Sequence, residues 1–261
     1  MERFVCCDKC RGKNYDSNGN KVAPEGFIWD VETTPYIPVL RVCDCKRKYD
    51  EENRVEKEYL LSGFDSRYFN YNPRTYVGKK SVDNFKRLLN YADKFAENPK
   101  VRSLLLYVYG KNGTQKTTVL SFIGKKIISK GFKVRYTTMN KLLDYLQEAK
   151  WSPDKEFKVQ KLDDSDLLII DESFDKEKML IYKSGFQISF IDDFMRYRYS
   201  QGKGMIFISN KKIDEIAEQG LSESIKDFID RETKIYNTYI TMEDNYLANS
   251  GLEYNPNESL F

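Results

Sequence analysis

Apolar residues fall into two kinds of run along this chain. Short continuous runs, Leu104 to Tyr109, Asp166 to Ile170 and Gly204 to Ser209, have the length and composition of strands buried on both faces. Between them, apolar positions recur at helical spacing: Val82, Phe85, Leu88, Leu89, Ala92 and Ala96, then Val119, Phe122, Ile123 and Ile127. Met139 to Ala149, Phe190 to Tyr199 and Ser224 to Asp230 read as further helices, and Phe132 to Thr137 and Ile235 to Thr241 as further strands. Strands alternating with amphipathic helices predict an α/β fold, a parallel sheet between helices. The first sixty or so residues follow another pattern. Phe27 to Val31 and Val39 to Val42 are strand-like pieces among glycines, and Lys46 to Leu61 is a charged, solvated helix that Gly63 stops. The division this suggests is a small module with a linker helix over 1–64 and the main domain over 65–261.

The strand at Leu104 empties into Gly110-Lys111-Asn112-Gly113-Thr114-Gln115-Lys116-Thr117-Thr118. Such a loop holds a nucleoside triphosphate: its backbone N–H groups curl around the phosphates, a lysine reaches the β- and γ-phosphates, and a hydroxyl ligates Mg²⁺. Gly110, Lys116 and Thr117 are in register with the phosphate-loop pattern, but the glycine expected before the lysine is Gln115, and Gly113 supplies the nearest backbone freedom. An ordinary Gly/Asn/Thr turn is the competing reading. The run Leu167 to Ile170 delivers Asp171 and Glu172, suited to holding Mg²⁺ through water and to polarising an attacking water. Acidic pairs are common in plain loops, and Lys116 upstream tips the balance. Asn210 ends the next strand, where an amide can orient the water or sense the γ-phosphate, although a turn-forming Asn reads the same. Arg231 ends a helix further on; an arginine finger and a surface salt bridge are its two readings.

Five cysteines, Cys6, Cys7, Cys10, Cys43 and Cys45, occur before residue 46, and the chain has no histidine. Cys7-x-x-Cys10 and Cys43-x-Cys45 offer two thiolate pairs for one tetrahedral Zn²⁺, with Cys6 to spare. Four thiolates leave no open position, so such a site is structural. Reduced cysteines without metal are the alternative, and a thioredoxin-like redox role lacks the surrounding βαβ pattern. A length of 261 residues suits one substantial core with a small appended module. A net charge of +3, its small excess of positive charge lying before residue 104, permits nucleic-acid contact without requiring it. The chain contains no run that would span a membrane and no apolar stretch after Met1 resembling a secretory signal, so a cytoplasmic location is expected.

In their order, the cysteine module, Ser62-Gly63-Phe64, the loop Gly110 to Thr117, Asp171-Glu172, Phe194 to Tyr199, Ile208-Ser209-Asn210 and Arg231 resemble the AAA+ ATPases of the DnaC/DnaI type. These are bacterial and phage loaders of the replicative DNA helicase, and the group includes the IstB transposition helpers. The resemblance covers nearly the whole chain. It implies an AAA+ core using ATP and Mg²⁺, with Asn210 as sensor 1 and Arg231 as a finger contributed in trans. It also implies a protein that grips a ring helicase through its N-terminal module, self-associates with ATP and helps place single-stranded DNA inside the ring. Gln115 departs from the pattern, and near Asp244-Asn245-Tyr246, where the family often has a sensor 2 arginine, the next residue is Leu247. Nucleotide binding is therefore better supported than brisk turnover, and weak or partner-stimulated hydrolysis is expected. A transposition helper, a hydrolysis-deficient DNA-binding adaptor and a small-molecule kinase are the other readings. The cysteines favour the loader, the retained Lys116, Thr117, Asp171 and Glu172 oppose the adaptor, and Asn210 with Arg231 opposes the kinase.

Overall fold

Five parallel strands form the sheet that carries the phosphate loop. In chain order they are β3 (Leu105–Tyr109), β4 (Val134–Thr138), β5 (Leu167–Asp171), β6 (Gly204–Ser209) and β7 (Tyr239–Thr241), and across the sheet they run β4-β5-β6-β3-β7. The computed structural model describes residues 6–7, 10, 26–30, 39–71, 82–149, 151–175, 186–216 and 223–242. The chain divides into two compact units, Met1–Glu58 and Tyr59–Phe261. The sequence reading put this joint between residues 64 and 65. Tyr59 and Phe64 are buried in the larger unit, where Tyr59 shares a hydrogen bond with Ser121.

In the smaller unit, β1 (Phe27–Asp30) pairs antiparallel with β2 (Val39–Val42), and α1 (Asp44–Ser62) begins there. Gly26, at φ +83, accepts from the Cys43 N–H; a Cβ at Gly26 would lie 2.7 Å from the Lys46 side chain, so the approach needs glycine. In the larger unit α2 (Val82–Phe95), α3 (Pro99–Arg102), α4 (Lys116–Ser129), α5 (Met139–Glu148), α6 (Pro153–Asp163), α7 (Phe186–Ser200) and α8 (Glu223–Tyr236) accompany the sheet. The central strands are buried along their length, which explains why they read as continuous apolar runs and not as alternating ones. Chain reversal at β3 matters for function. From β3 the path crosses to the far edge at β4, returns through β5 and β6, then passes over β3 to β7, so the carboxyl ends of β3, β5 and β6 converge where ligands bind in open α/β sheets.

Several elements differ from the sequence reading, the short α3 among them. Helix α6 was not foreseen, although Ser152 at the N-cap, Pro153 in the first turn and the acidic residues Asp154 and Glu156 are ordinary start signals. Its charged sequence simply lacks a strong apolar stripe. Ile235 and Tyr236 belong to the last turn of α8 instead of starting a strand. Asn237 stops the helix in the left-handed conformation at φ 51, and the Thr238 N–H donates to the Thr233 carbonyl in a Schellman closure. Ile235 and Tyr236 are consequently exposed, at 62% and 51%. Ser81, Val31 and Asp244 to Leu247 lie outside the described residues. Among the described residues no helix is long and apolar enough to cross a membrane.

Candidate nucleotide-binding site

A cavity of about 650 Å³ opens at the carboxyl ends of β3, β5 and β6. Asn112, Gly113, Thr114, Gln115, Lys116, Thr117 and Thr118 line it from the loop and the start of α4, Asp171 and Glu172 from the end of β5, and Asn210 from the end of β6. Gly110 lies behind this wall. A Cβ there would sit 2.4 Å from the Met242 carbonyl oxygen and 2.6 Å from Thr114 Oγ1, so only glycine lets the loop leave β3 at this point.

The loop is organised around one ammonium group. Lys116 Nζ donates to the carbonyls of Gly110 (2.6 Å) and Lys111 (2.9 Å) and to Asn210 Oδ1 (2.9 Å). Asn210 Nδ2 in turn donates to Asn112 Oδ1 at 2.9 Å, so Asn210 ties the end of β6 to the loop. Gln115 precedes α4 in the left-handed conformation, φ 58 and ψ 23, and no side chain caps the helix. This is the geometry for which the phosphate-loop pattern uses glycine. A non-glycine residue there bears about 1–2 kcal/mol of strain. The Gln115 carboxamide recovers part of it by accepting from Tyr71 Oη at 2.9 Å. The first N–H groups of α4 thus face the cavity at the positive end of a helix dipole, the natural seat of a phosphate.

The acidic side is equally built. Thr117 Oγ1 donates to Asp171 Oδ2 at 2.6 Å, Tyr136 Oη donates to the same oxygen at 2.8 Å, and the Glu172 N–H donates to Asp171 Oδ1 at 2.7 Å. Burial, reinforced by the neighbouring Asp171 charge, pushes the Tyr136 hydroxyl well above the usual phenol range, so it remains a donor. Glu172 (φ 53) and Phe174 (φ 61) are both left-handed. With Gln115 they make three positive-φ non-glycine residues, of which Gln115 and Glu172 line the cavity and Phe174 is buried, a concentration typical of functional sites. Phe174 anchors the strained turn by stacking on Tyr107 and packing against Phe207. Ser209 Oγ closes it by donating to the Ser173 carbonyl at 2.6 Å.

Arg231 stands apart from the cavity wall. It lies within α8 and not at a helix end as the sequence reading placed it, because the helix continues to Tyr236; its side chain is 58% exposed, and its Nε donates to Glu232 at 3.0 Å. Three residues that sequence reasoning missed do join the site. Arg67 and Tyr68, on the helical turn Ser66–Tyr68, line the cavity, and Tyr136 reaches Asp171. Lys125 fixes that turn's exit, donating to the Phe69 carbonyl at 2.6 Å with its ammonium 3.8 Å from the Phe69 ring centroid.

In the smaller unit the sulfurs of Cys7, Cys10, Cys43 and Cys45 all lie within 4.8 Å of one another; Cys6 is not in the group. Cys7 Sγ is 3.8 Å from Cys10 Sγ and 3.7 Å from Cys43 Sγ, and Cys10 Sγ is 3.4 Å from Cys45 Sγ. Four thiolates around one Zn²⁺, each with a bond of about 2.3 Å, have tetrahedral edges of about 3.8 Å. The donor set fits that ion. The Cys10 N–H donates to the Cys7 carbonyl, and the N–H groups of Lys46 and Arg47 to the Cys43 carbonyl, as two tight turns that aim the thiols inward.

Fold and cavity together define a phosphate-loop ATPase. Residues 75–230 match the family described as the bacterial DnaA ATPase domain, and the chain belongs to that family. The chromosomal replication initiator DnaA of Borrelia hermsii is 25% identical over 190 residues, 72% of this chain and 37% of that protein. That of onion yellows phytoplasma is 28% identical over 179 residues, covering 65% and 33%. The chain thus spans about a third of the length of the curated relatives it matches. AMPPCP-bound DnaA from Aquifex aeolicus has the same fold, with a TM-score of 0.54 at 16% identity over 73% of this chain and 58% of that one. The DnaC helicase loader superposes with a TM-score of 0.49 at 22% identity over 69% and 99%. The resemblance drawn from motif order pointed to loaders, whereas the matching family carries the initiator's name; the AAA+ ATPase class is common to both.

Proposed function

We propose that the chain is an ATP-binding and ATP-hydrolysing helicase loader of replication initiation. The observation that supports this most is the pair of linkages across one cavity, Lys116 to Asn210 and Thr117 to Asp171. In this reading Lys116 turns from the loop carbonyls to the β- and γ-phosphates, and the N–H groups from Asn112 to Thr118 cradle them. Thr117 and Asp171 would hold Mg²⁺, which would supply charge neutralisation at the phosphates. Glu172 polarises the attacking water, and Asn210, already touching Lys116, senses the γ-phosphate. Arg231, exposed and away from its own cavity, serves a neighbour's nucleotide during ATP-dependent self-association. Arg67 and Tyr68 supply a further wall of the cavity.

Cys7, Cys10, Cys43 and Cys45 hold a structural Zn²⁺ that makes the smaller unit a rigid handle for the replicative helicase, while the ATPase core helps place single-stranded DNA. The family match supports a second reading, an initiator-like ATPase acting on DNA directly; a transposition helper or a hydrolysis-deficient adaptor is less consistent with the cysteine unit and the complete Lys116, Thr117, Asp171 and Glu172 set. A pull-down separates them. With the replicative helicase of the source cell, the full chain is expected to co-purify more strongly with ATP than without, and Cys10→Ser to abolish capture. Absence of capture under both conditions, with retention on duplex origin DNA, would favour the initiator.

A further inference from the structure

Tyr136 belongs to no recognisable motif, yet it touches the acidic residue on which the site depends. The strand register explains how. In the β4–β5 ladder Thr138 pairs with Asp171 and Tyr136 with Ile169. Side chains two residues apart share a face, so Tyr136 and Asp171 are diagonal neighbours on one face of the sheet, a separation that an aromatic side chain spans. Its hydroxyl reaches Asp171 Oδ2 at 2.8 Å.

The ring is held from behind. Phe64 packs on Tyr136 at 4.8 Å between centroids, and Tyr59 stacks on Phe64 at 5.5 Å. Phe64 fits only because α4 carries Gly124 at the contact: a Cβ there would lie 2.6 Å from the Phe64 ring. Gly63, at φ +94, completes the clamp, since a Cβ at that residue would come within 2.6 Å of the Tyr136 carbonyl oxygen. Two glycines therefore exist where side chains would push Phe64 or β4 away. Tyr136 is set by this packing, not by Asp171 alone.

We propose that Tyr136 is a positioning residue for the Mg²⁺ of the nucleotide site, holding the Asp171 carboxylate in the orientation that receives the hydrated ion. This rests on the nucleotide-site reading above. Asp171 Oδ2 has two hydroxyl donors, and one of them, Thr117, is the group expected to turn toward Mg²⁺. Once Thr117 turns, Tyr136 is the hydroxyl that continues to fix that oxygen. Partners of this kind typically change metal affinity by about 10–100-fold when removed.

The test titrates Mg²⁺ against binding of a fluorescent ATP analogue to the full chain, with a parallel measurement in EDTA. Tyr136→Phe keeps the ring and its packing. It is expected to raise the Mg²⁺ concentration for half-maximal tight binding by roughly tenfold and to leave the EDTA affinity unchanged. In an Asp171→Asn background the same change is expected to add nothing. An unchanged Mg²⁺ midpoint, an equal loss with and without Mg²⁺, or an undiminished effect in Asp171→Asn would each overturn the assignment. Wild-type protein showing no Mg²⁺-dependent binding would instead remove the nucleotide-site reading, and this inference with it.

Discussion

Glu172→Gln is expected to bind ATP and fail to hydrolyse it, and Arg231→Ala to lose hydrolysis for a different reason. A carboxylate that activates water contributes about 10²–10⁴-fold, and the amide of Gln keeps the shape while losing the base. The strained turn that presents Glu172 is anchored by Phe174 and Ser173, neither of which the substitution disturbs. An arginine finger is worth about 10³–10⁵-fold, and works only where a neighbour presents it. Arg231 fits that requirement: its side chain is exposed and outside the cavity wall of its own chain, resting against Glu232. Complementation distinguishes the two roles. In a mixture, a subunit bearing Arg231→Ala keeps its Glu172, and a neighbour bearing Glu172→Gln offers its Arg231. Part of the lost activity should therefore return. Assemblies shown to be mixed but inactive would assign Arg231 to its own subunit or to the Glu232 ion pair alone.

Cys10→Ser or Cys43→Ser is expected to release one Zn²⁺ per chain and unfold the smaller unit while ATP binding survives. The described elements of Met1–Glu58 are a two-stranded ribbon and the start of α1, and units of this size commonly need a staple. Structural zinc supplies about 10–16 kcal/mol in small modules of this kind, more than such a ribbon can replace. The two cysteines named are the buried members of the cluster, at 0% and 2% exposure, so a serine hydroxyl there gains no solvent to compensate. Cys6→Ser serves as the control and should retain the metal. Elemental analysis with limited proteolysis reads the result; stoichiometric zinc in Cys10→Ser, or a protease-resistant N-terminus without metal, would refute the site.

What was legible in the sequence follows from where the information resides. Loop chemistry is local, so Gly110, Lys116 and Thr117 announced themselves after a five-residue buried strand, and Asp171 after another. Asn210 was legible for the same reason. Its bond to Lys116 was not, because only the neighbouring placement of β3 and β6 brings the two ends together. Tyr136 depends on the β4–β5 register, and Arg67 and Tyr68 on the path taken after α1; neither leaves a mark in spacing or composition. The left-handed geometry of Gln115 shows the reverse case. The sequence marked it as a departure from glycine, and the backbone adopts glycine's conformation regardless, since the loop and helix on either side over-determine it.

The central claim is that Lys116 makes this cavity an ATP site, and equilibrium titration with a fluorescent ATP analogue and Mg²⁺ tests it most directly. In the structure Lys116 is 8% exposed, and its ammonium is held at the loop by the Gly110 and Lys111 carbonyls and by Asn210 Oδ1. Wild-type protein should bind one nucleotide per chain, and Lys116→Ala, still folded by circular dichroism, should weaken binding by about a hundredfold or more, as loss of a hydrogen bond to a charged group of about 1.5–3 kcal/mol plus the buried Coulombic attraction requires. No binding by the wild-type chain, or equal affinity in Lys116→Ala, would contradict the account.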